Sequence, residues 1–412
     1  MRKCGIMKLK CKPRMTDKRA AKPQEPLCSD GCIPCSTIGH GGNIYSASQE
    51  TGIPEEKIID FSASINPLGV PGSVMTRIKD SLADLCNYPD PYVTKLRSYL
   101  SRCHDVDPTS IVCGNGSTEL IYGVVRTFKP KRVLLAAPTF GEYERACSNY
   151  ETRVMYYPLE HSDHFDLRAS NFISAMAGNK PLWIKALGQG TNLLPVTHPV
   201  SSPCDMAFLC NPNNPTGRLI PKADMMEIAK AARDLKCRLI VDEAFIDFSP
   251  DDSMVNEVQI NPYLIVLRSL TKFYALPGLR IGYGIIPLSL IDAITRHKEP
   301  WTVNTLAQIA GITALQDNAY KDETYKVIRT EKMILEEGFR VNGIDFCPSC
   351  ANYYLLKLNY AKEVVARLRG QGILIRDCSN FEGLDDSFIR VAVKSHGDNI
   401  RLLEELASPC RA

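Results

Sequence analysis

The chain has 412 residues, 44% hydrophobic and 23% charged, the proportions of an ordinary globular protein with enough material for a large core. A formal net charge of +3 is too small to argue for a nucleic-acid partner. No run approaches the roughly 18 consecutive apolar residues of a membrane helix, and no apolar stretch follows the basic start, so a cytoplasmic protein with no membrane partner is expected. The sixteen cysteines are scattered through the expected strands and helices, as free thiols in a reducing compartment are.

Residues 1–38 mix Lys, Arg, Pro and Cys without a helical or strand period and read as a disordered tail. Cys28, Cys32 and Cys35 form C-x3-C-x2-C there, a spacing able to hold an iron–sulfur cluster. Free thiols are the simpler reading, and no metal site is assigned. Order is expected from His40-Gly41-Gly42-Asn43, which opens an N-terminal segment over 39–86. From Asn87 to Lys298 short apolar runs alternate with helical periods, the signature of βαβ units. The runs are Ile111 to Cys113, Arg132 to Ala137, Val154 to Pro158, Met206 to Cys210, Arg238 to Val241, Leu264 to Leu267 and Ile281 to Ile286. Several are apolar without alternation, as strands covered on both faces are. Gly178 to Pro203 breaks the rhythm and reads as a surface insertion. After Pro300 a helical region, Val303 to Phe339, leads into strands at Tyr353 to Leu358, Ile373 to Asp377 and Phe388 to Val393, interleaved with helices. The expected fold class is α/β: a three-layer α/β/α large domain with a mixed, mainly parallel sheet over 87–298, and a small α+β domain over 299–412.

Four stretches carry chemistry. In Ser269-Leu270-Thr271-Lys272-Phe273-Tyr274-Ala275-Leu276-Pro277-Gly278-Leu279-Arg280 a lysine follows an expected strand and precedes a Pro-Gly turn. Its amine therefore sits on a short, constrained loop, as a Schiff-base lysine requires. Ser269, Thr271 and Arg280 surround it with two hydroxyls and a permanent cation, a set suited to a phosphate dianion. A lone lysine is usually a solvated surface residue; one so flanked is not. Val241-Asp242-Glu243 ends an apolar run in a carboxylate. Pyridoxal 5'-phosphate (PLP) needs such an acid against its pyridine nitrogen to keep the ring an electron sink. Asn214, in Asn211-Pro212-Asn213-Asn214-Pro215-Thr216-Gly217, is projected by a turn that proline and glycine shape, and it can donate to a ring hydroxyl. Gly114-Asn115-Gly116-Ser117-Thr118 joins a strand to a helix, where glycine admits a phosphate to the backbone and free amides bind it. Together these stretches read as a PLP site in which Lys272 and Asp242 are catalytic.

The order of these motifs resembles that of fold-type I PLP enzymes of the histidinol-phosphate aminotransferase branch. Within it, His40-Gly41-Gly42-Asn43-Ile44, Asp60 to Gly69, Pro300-Trp301-Thr302-Val303-Asn304 and Phe388-Ile389-Arg390-Val391-Ala392 resemble the threonine-phosphate decarboxylases of cobalamin biosynthesis. The likeness covers residues 39 to 408. It implies a PLP-dependent carboxy-lyase acting on L-threonine O-3-phosphate, with a histidinol-phosphate-type aminotransferase as the alternative. It further implies that Gly116, Ser117, Thr118, Asn214, Asp242, Ser269, Thr271, Lys272 and Arg280 hold PLP, with Phe140 over its ring. Tyr88 is implied to reach the PLP phosphate of the other subunit of a homodimer. His40, Gly41, Ser64, Asn214, Arg376 and Arg390 are implied to hold the phosphorylated substrate. Ser64 replaces the asparagine of the decarboxylase pattern, which makes phosphoserine a second candidate substrate.

Overall fold

The computed structural model describes residues 39–180, 182–185, 193–195 and 202–408. The expected tail with Cys28, Cys32 and Cys35 lies outside the described residues. A first short strand, β1 (Ile59–Asp60), precedes a nine-stranded sheet. Its strands are β2 (Ile111–Asn115), β3 (Arg132–Ala137), β4 (Arg153–Pro158), β5 (Trp183–Lys185), β6 (Leu193–Pro195), β7 (Met206–Cys210), β8 (Arg238–Glu243), β9 (Leu264–Ser269) and β10 (Ile281–Ile285). They lie in the order β2-β10-β9-β8-β7-β3-β4-β5-β6. Pairings among β4, β3, β7, β8 and β9 are parallel, and β10 and β5 are each antiparallel to both neighbours. Only those two strands run against the rest, so the sheet is mixed and mainly parallel, as expected.

Successive side chains of the central strands enter two different cores. In β3, Leu134 and Ala136 join one and Val133, Leu135 and Ala137 the other; in β7, Ala207 and Leu209 part from Met206, Phe208 and Cys210. Burial on both faces removes the polar alternation of a half-exposed strand, which is why these stretches read as continuous apolar runs. Helix Gly116–Phe128 supplies Leu120, Ile121, Val124 and Val125 to one face, and helix Lys222–Asp234 supplies Met225 and Ile228 to the other. These are the three layers.

Two expectations change. The segment 178–203 is more than a surface insertion: β5 and β6 pair with each other, and Trp183 pairs with Tyr156 of β4, so the segment extends the sheet. Three-residue strands are too short for a period to register. After helices Thr305–Gln316 and Asn318–Val341 come β11 (Asp345–Phe346), β12 (Tyr353–Lys357), β13 (Ile373–Leu374), β14 (Arg376–Asp377) and β15 (Phe388–Ala392). The single strand expected over Ile373 to Asp377 is two. β13 runs parallel to β1, whereas β14 joins the antiparallel sheet β11-β12-β15-β14. The chain changes sheets at Ile375, whose buried side chain keeps the apolar run unbroken.

Across β8 and β9, Glu243 faces Arg268, which sits 3.3 Å from Glu243 Oε2 and 2.5 Å from Asp247 Oδ1. The Arg268 and Glu243 side chains are only 6% and 0% exposed. This pair fixes the register just where Asp242 and Ser269 leave the sheet. Arg268→Met strands a buried carboxylate and is expected to cost about 3–5 kcal/mol of unfolding free energy, read by denaturant titration of the cofactor-free protein. A loss below about 1 kcal/mol, the value of an exposed pair, would contradict this reading.

Candidate active site

β2, β7, β8 and β9 end on one side of the sheet, and the loops that follow them line a cavity of about 400 Å³. Ligands of open α/β sheets bind at such strand ends. The loop after β9 carries Lys272. Asn66 staples it from the N-terminal segment: its backbone N–H donates to Lys272 O at 3.1 Å, and its Nδ2 donates to Phe273 O at 2.7 Å and to Thr324 Oγ1 at 2.8 Å. Ala275 and Arg280 take φ of 51° and 55°, left-handed values that cost a side-chain-bearing residue energy and that the surrounding packing must hold. The amine is buried. Burial first, then the Arg390 and Arg280 charges, lower it to about 8, with Asp242 and Asp60 opposing.

Asp242 is the penultimate residue of β8 and is 3% exposed. Desolvation raises it to about 6, against hydrogen bonds from Tyr143 Oη at 2.8 Å and Ala244 N at 3.2 Å. Tyr143 is itself held by stacking on Phe208, with ring centres 4.9 Å apart. Beside the lysine lies an anion cup. Ser269 Oγ and Thr271 Oγ1 are 2.8 Å apart and buried, and Ser117 and Thr118 open helix Gly116–Phe128. Gly116 has φ 76°, and a Cβ there would come 2.5 Å from Arg280 Nη2. Glycine is what lets the guanidinium lie against the start of the helix.

The rest of the wall comes from the N-terminal segment and the small sheet. Arg390, on β15, donates to Asn214 Oδ1 and, at 2.9 Å, to Ser62 O. This leaves the Asn214 amide hydrogens for the cavity. Arg376, on β14, donates to Asp377 O at 2.7 Å and to Asn380 Oδ1 at 2.6 Å, and its guanidinium lies 5.1 Å from the Phe381 ring centre. Gly41 abuts Ser62, where any Cβ would meet the carbonyl oxygen at 2.2 Å. Ser64 Oγ is buried with no hydrogen-bond partner among the described residues. His40 Nε2 lies 2.8 Å from Glu142 Oε1, and that bond is the main cause holding the Glu142 carboxyl down at about 2.

Of the residues expected in the site, His40, Gly41, Ser64, Ser117, Thr118, Phe140, Asn214, Asp242, Ser269, Thr271, Lys272, Arg280, Arg376 and Arg390 all line this cavity. Gly116 lies directly behind the wall, against Arg280. Tyr88 does not line it. That side chain is 84% exposed, its ring 5.3 Å from that of Trp301. Glu142, Tyr143, Asn66 and Ser62 belong to the site as well and went unnoticed in the sequence. Glu142 and Tyr143 lie two and three residues after Phe140, which the resemblance already placed over the ring, so the stretch just beyond it was the signal that could have found both.

Residues 56–406 match the model of the family described as aminotransferase class I and II. The chain belongs to that family. It is 37% identical to the threonine-phosphate decarboxylase of Salmonella typhimurium over 371 residues, 89% of this chain and 95% of that protein. Among solved structures it resembles the histidinol-phosphate aminotransferase from Clostridium acetobutylicum, at 30% identity and a TM-score of 0.74, covering 85% of this chain and 98% of that one. It also resembles the L-threonine-O-3-phosphate decarboxylase from Porphyromonas gingivalis, at 26% identity and a TM-score of 0.69, with coverage of 85% and 98%.

The lowered lysine gives a pH signature. The charged form is the one disfavoured, so the Lys272 amine becomes neutral and nucleophilic above about 8, whereas an ordinary lysine does so only above 10.5. In the cofactor-free protein, labelling of Lys272 by an amine-selective reagent, followed by mass spectrometry, should reach half its maximal rate near that lower value. Arg390→Gln should raise the midpoint by removing one repelling charge. A wild-type midpoint at or above about 10, the range of a solvated lysine, would contradict the assignment.

Proposed function

We propose that the chain is a PLP-dependent carboxy-lyase that decarboxylates L-threonine O-3-phosphate to (R)-1-amino-2-propanol O-2-phosphate, in cobalamin biosynthesis. The observation that carries this reading is the convergence of Arg376, Arg390 and His40 on the cavity that holds Lys272 and Asp242. One carboxylate needs a single guanidinium; two guanidiniums and an imidazole exceed that need and suit a phosphate dianion. The similarity to a threonine-phosphate decarboxylase over most of both chains supports the same substrate class.

The residues present fit PLP. The cup of Ser117, Thr118, Ser269, Thr271 and Arg280 suits its phosphate, and the Gly116 contact keeps that cup open. Asp242, buried and without a cationic hydrogen-bond partner of its own, suits the pyridine nitrogen, and the free Asn214 amide suits the ring hydroxyl. When bound, PLP supplies the electron sink for the bond broken at the substrate α-carbon. Asp242 would face the ring nitrogen and hold its proton. Lys272 Nζ, poised near neutrality, carries the proton returned to the α-carbon after carbon dioxide leaves. Arg376, Arg390 and His40 would hold the substrate phosphate and leave the α-carboxylate unclamped. Phe245, buried at the wall, brings no hydroxyl to compete with Asn214. Ser64 has a shorter reach than the asparagine of the decarboxylase pattern, so phosphoserine is a second substrate to test.

The same reading makes the enzyme a cytoplasmic homodimer, with 87–298 as the PLP-binding domain, 299–412 as the small domain, and Tyr88 serving the PLP phosphate of the neighbouring subunit. The exposure of Tyr88 beside Trp301 is consistent with that role. Among the described residues no helix is long and apolar enough to cross a membrane.

Two experiments follow. Arg376→Ala should lower kcat/KM for phosphothreonine by roughly thirty-fold to several thousand-fold, the cost of losing one charged partner in a desolvated site. The slow reaction of unphosphorylated threonine should hardly change. Equal losses on both substrates would give Arg376 to the α-carboxylate and favour the aminotransferase reading. Mixing inactive Tyr88→Ala and Lys272→Ala subunits should restore up to about a quarter of wild-type activity, since random pairing makes half the dimers mixed, each with one intact site. A monomer by light scattering at active concentrations would end the shared-site idea.

A further inference from the structure

Glu142 stands in the cavity wall, and the reaction as described leaves it without a role. Its side chain is 9% exposed, and both carboxylate oxygens are engaged. Oε1 lies 2.8 Å from His40 Nε2 and 3.4 Å from Arg145 Nη1, while Oε2 accepts from Tyr122 Oη at 2.7 Å. Tyr122 sits on helix Gly116–Phe128, the helix whose start supplies Ser117 and Thr118 to the anion cup. Glu142 therefore ties the N-terminal segment to the element that forms the cup.

An ionised carboxylate only accepts hydrogen bonds, so His40 Nε2 carries a proton and donates it. That bond orients the imidazole through Nε2 and leaves Nδ1 as the second ring nitrogen, which donates to a phosphate dianion when the ring carries both protons. The tether matters because the His40 side chain is 44% exposed and precedes the first helix, so packing alone does not hold it. Its ring also meets that of Phe140, with centres 5.7 Å apart. A bare carboxylate at this place would repel a phosphate dianion. Here both of its oxygens are turned to donors of the wall.

We propose that Glu142 is a positioning residue: held by Tyr122, it accepts from His40 Nε2–H and so orients the imidazolium that donates its Nδ1–H to the phosphorylated end of the substrate. The proposal rests on the decarboxylase reading and deepens it, since it explains how a half-exposed histidine acts as a fixed phosphate contact.

The test uses the holoenzyme. Glu142→Gln keeps size and shape but loses the charge, and should raise KM for L-threonine O-3-phosphate about tenfold, the range of coupled neighbours. The effect should fall on binding, with kcat within about twofold and the cofactor absorbance unchanged. Tyr122→Phe should act in the same direction, less strongly. The decisive comparison is in the His40→Ala background, where Glu142→Gln should add less than about twofold because its effect runs through the imidazole. An undiminished effect in that background, or an unchanged KM in Glu142→Gln alone, overturns the proposal. Imidazole ¹⁵N shifts give a readout independent of turnover. They should show His40 protonated at Nε2 in the wild type and redistributed in Glu142→Gln, and identical shifts in the two proteins also overturn it. A wild-type enzyme that leaves phosphothreonine untouched would sink the decarboxylase reading instead, while the shifts would still judge the tether.

Discussion

The whole site depends on burying one lysine amine where its charge is poorly tolerated. Desolvation together with the guanidiniums of Arg390 and Arg280 pushes Lys272 toward neutrality, and the carboxylates of Asp242 and Asp60 stop the shift at about 8. A free amine in water would be protonated and unreactive at neutral pH. An amine buried without those carboxylates would be pushed lower still. Each of the four partners comes from a different part of the chain: Asp60 from the N-terminal segment, Asp242 from β8, Arg280 from the loop before β10 and Arg390 from the small antiparallel sheet. The balance exists only once those parts have come together.

The polar scaffolding serves the same end. Asn66 pins the lysine loop through two backbone carbonyls, and Tyr143, stacked on Phe208, holds Asp242 in place. Asp60 Oδ1 accepts from Ser62 N, Ser62 Oγ and Ala63 N, while Ser62 in turn receives Gly42 N on its hydroxyl and Arg390 on its carbonyl. A carboxylate that faces the lysine thus also orders the glycine pair after His40. Buried polar groups are costly unless satisfied, and such satisfied networks confine a site to one arrangement. Two atoms of the cavity wall, Ser64 Oγ and Arg390 Nε, are buried with no hydrogen-bond partner among the described residues.

The central strands were legible because burial on both faces leaves a continuous apolar run, as in Met206 to Cys210. The two strands hidden in Ile373 to Asp377 were not, since an apolar run carries no mark of which sheet it joins; Ile373 and Arg376 pair with different partners. Residues that bind through charge or through a fixed turn could be read from their motifs: Lys272, Asp242, Asn214 and Arg280. Those that act by holding another residue could not. Asn66 and Tyr143 meet their partners across 207 and 99 positions of sequence, and neither residue type announces such a contact. Tyr88 enters through the resemblance alone, since it does not line the cavity of its own chain.

Transamination and decarboxylation use the same lysine, the same acid and the same cup; they differ in which α-carbon bond is held upright. The fate of the carboxyl carbon therefore tests the account most directly. Purified holoenzyme would be given L-threonine O-3-phosphate labelled with ¹³C at the carboxyl group, in the absence of any 2-oxo acid. The account predicts that the label leaves quantitatively as carbon dioxide while unlabelled aminopropanol phosphate accumulates over many turnovers. Label retained in a phosphorylated 2-oxo acid, with turnover that stops after one equivalent until 2-oxoglutarate is added, would contradict it.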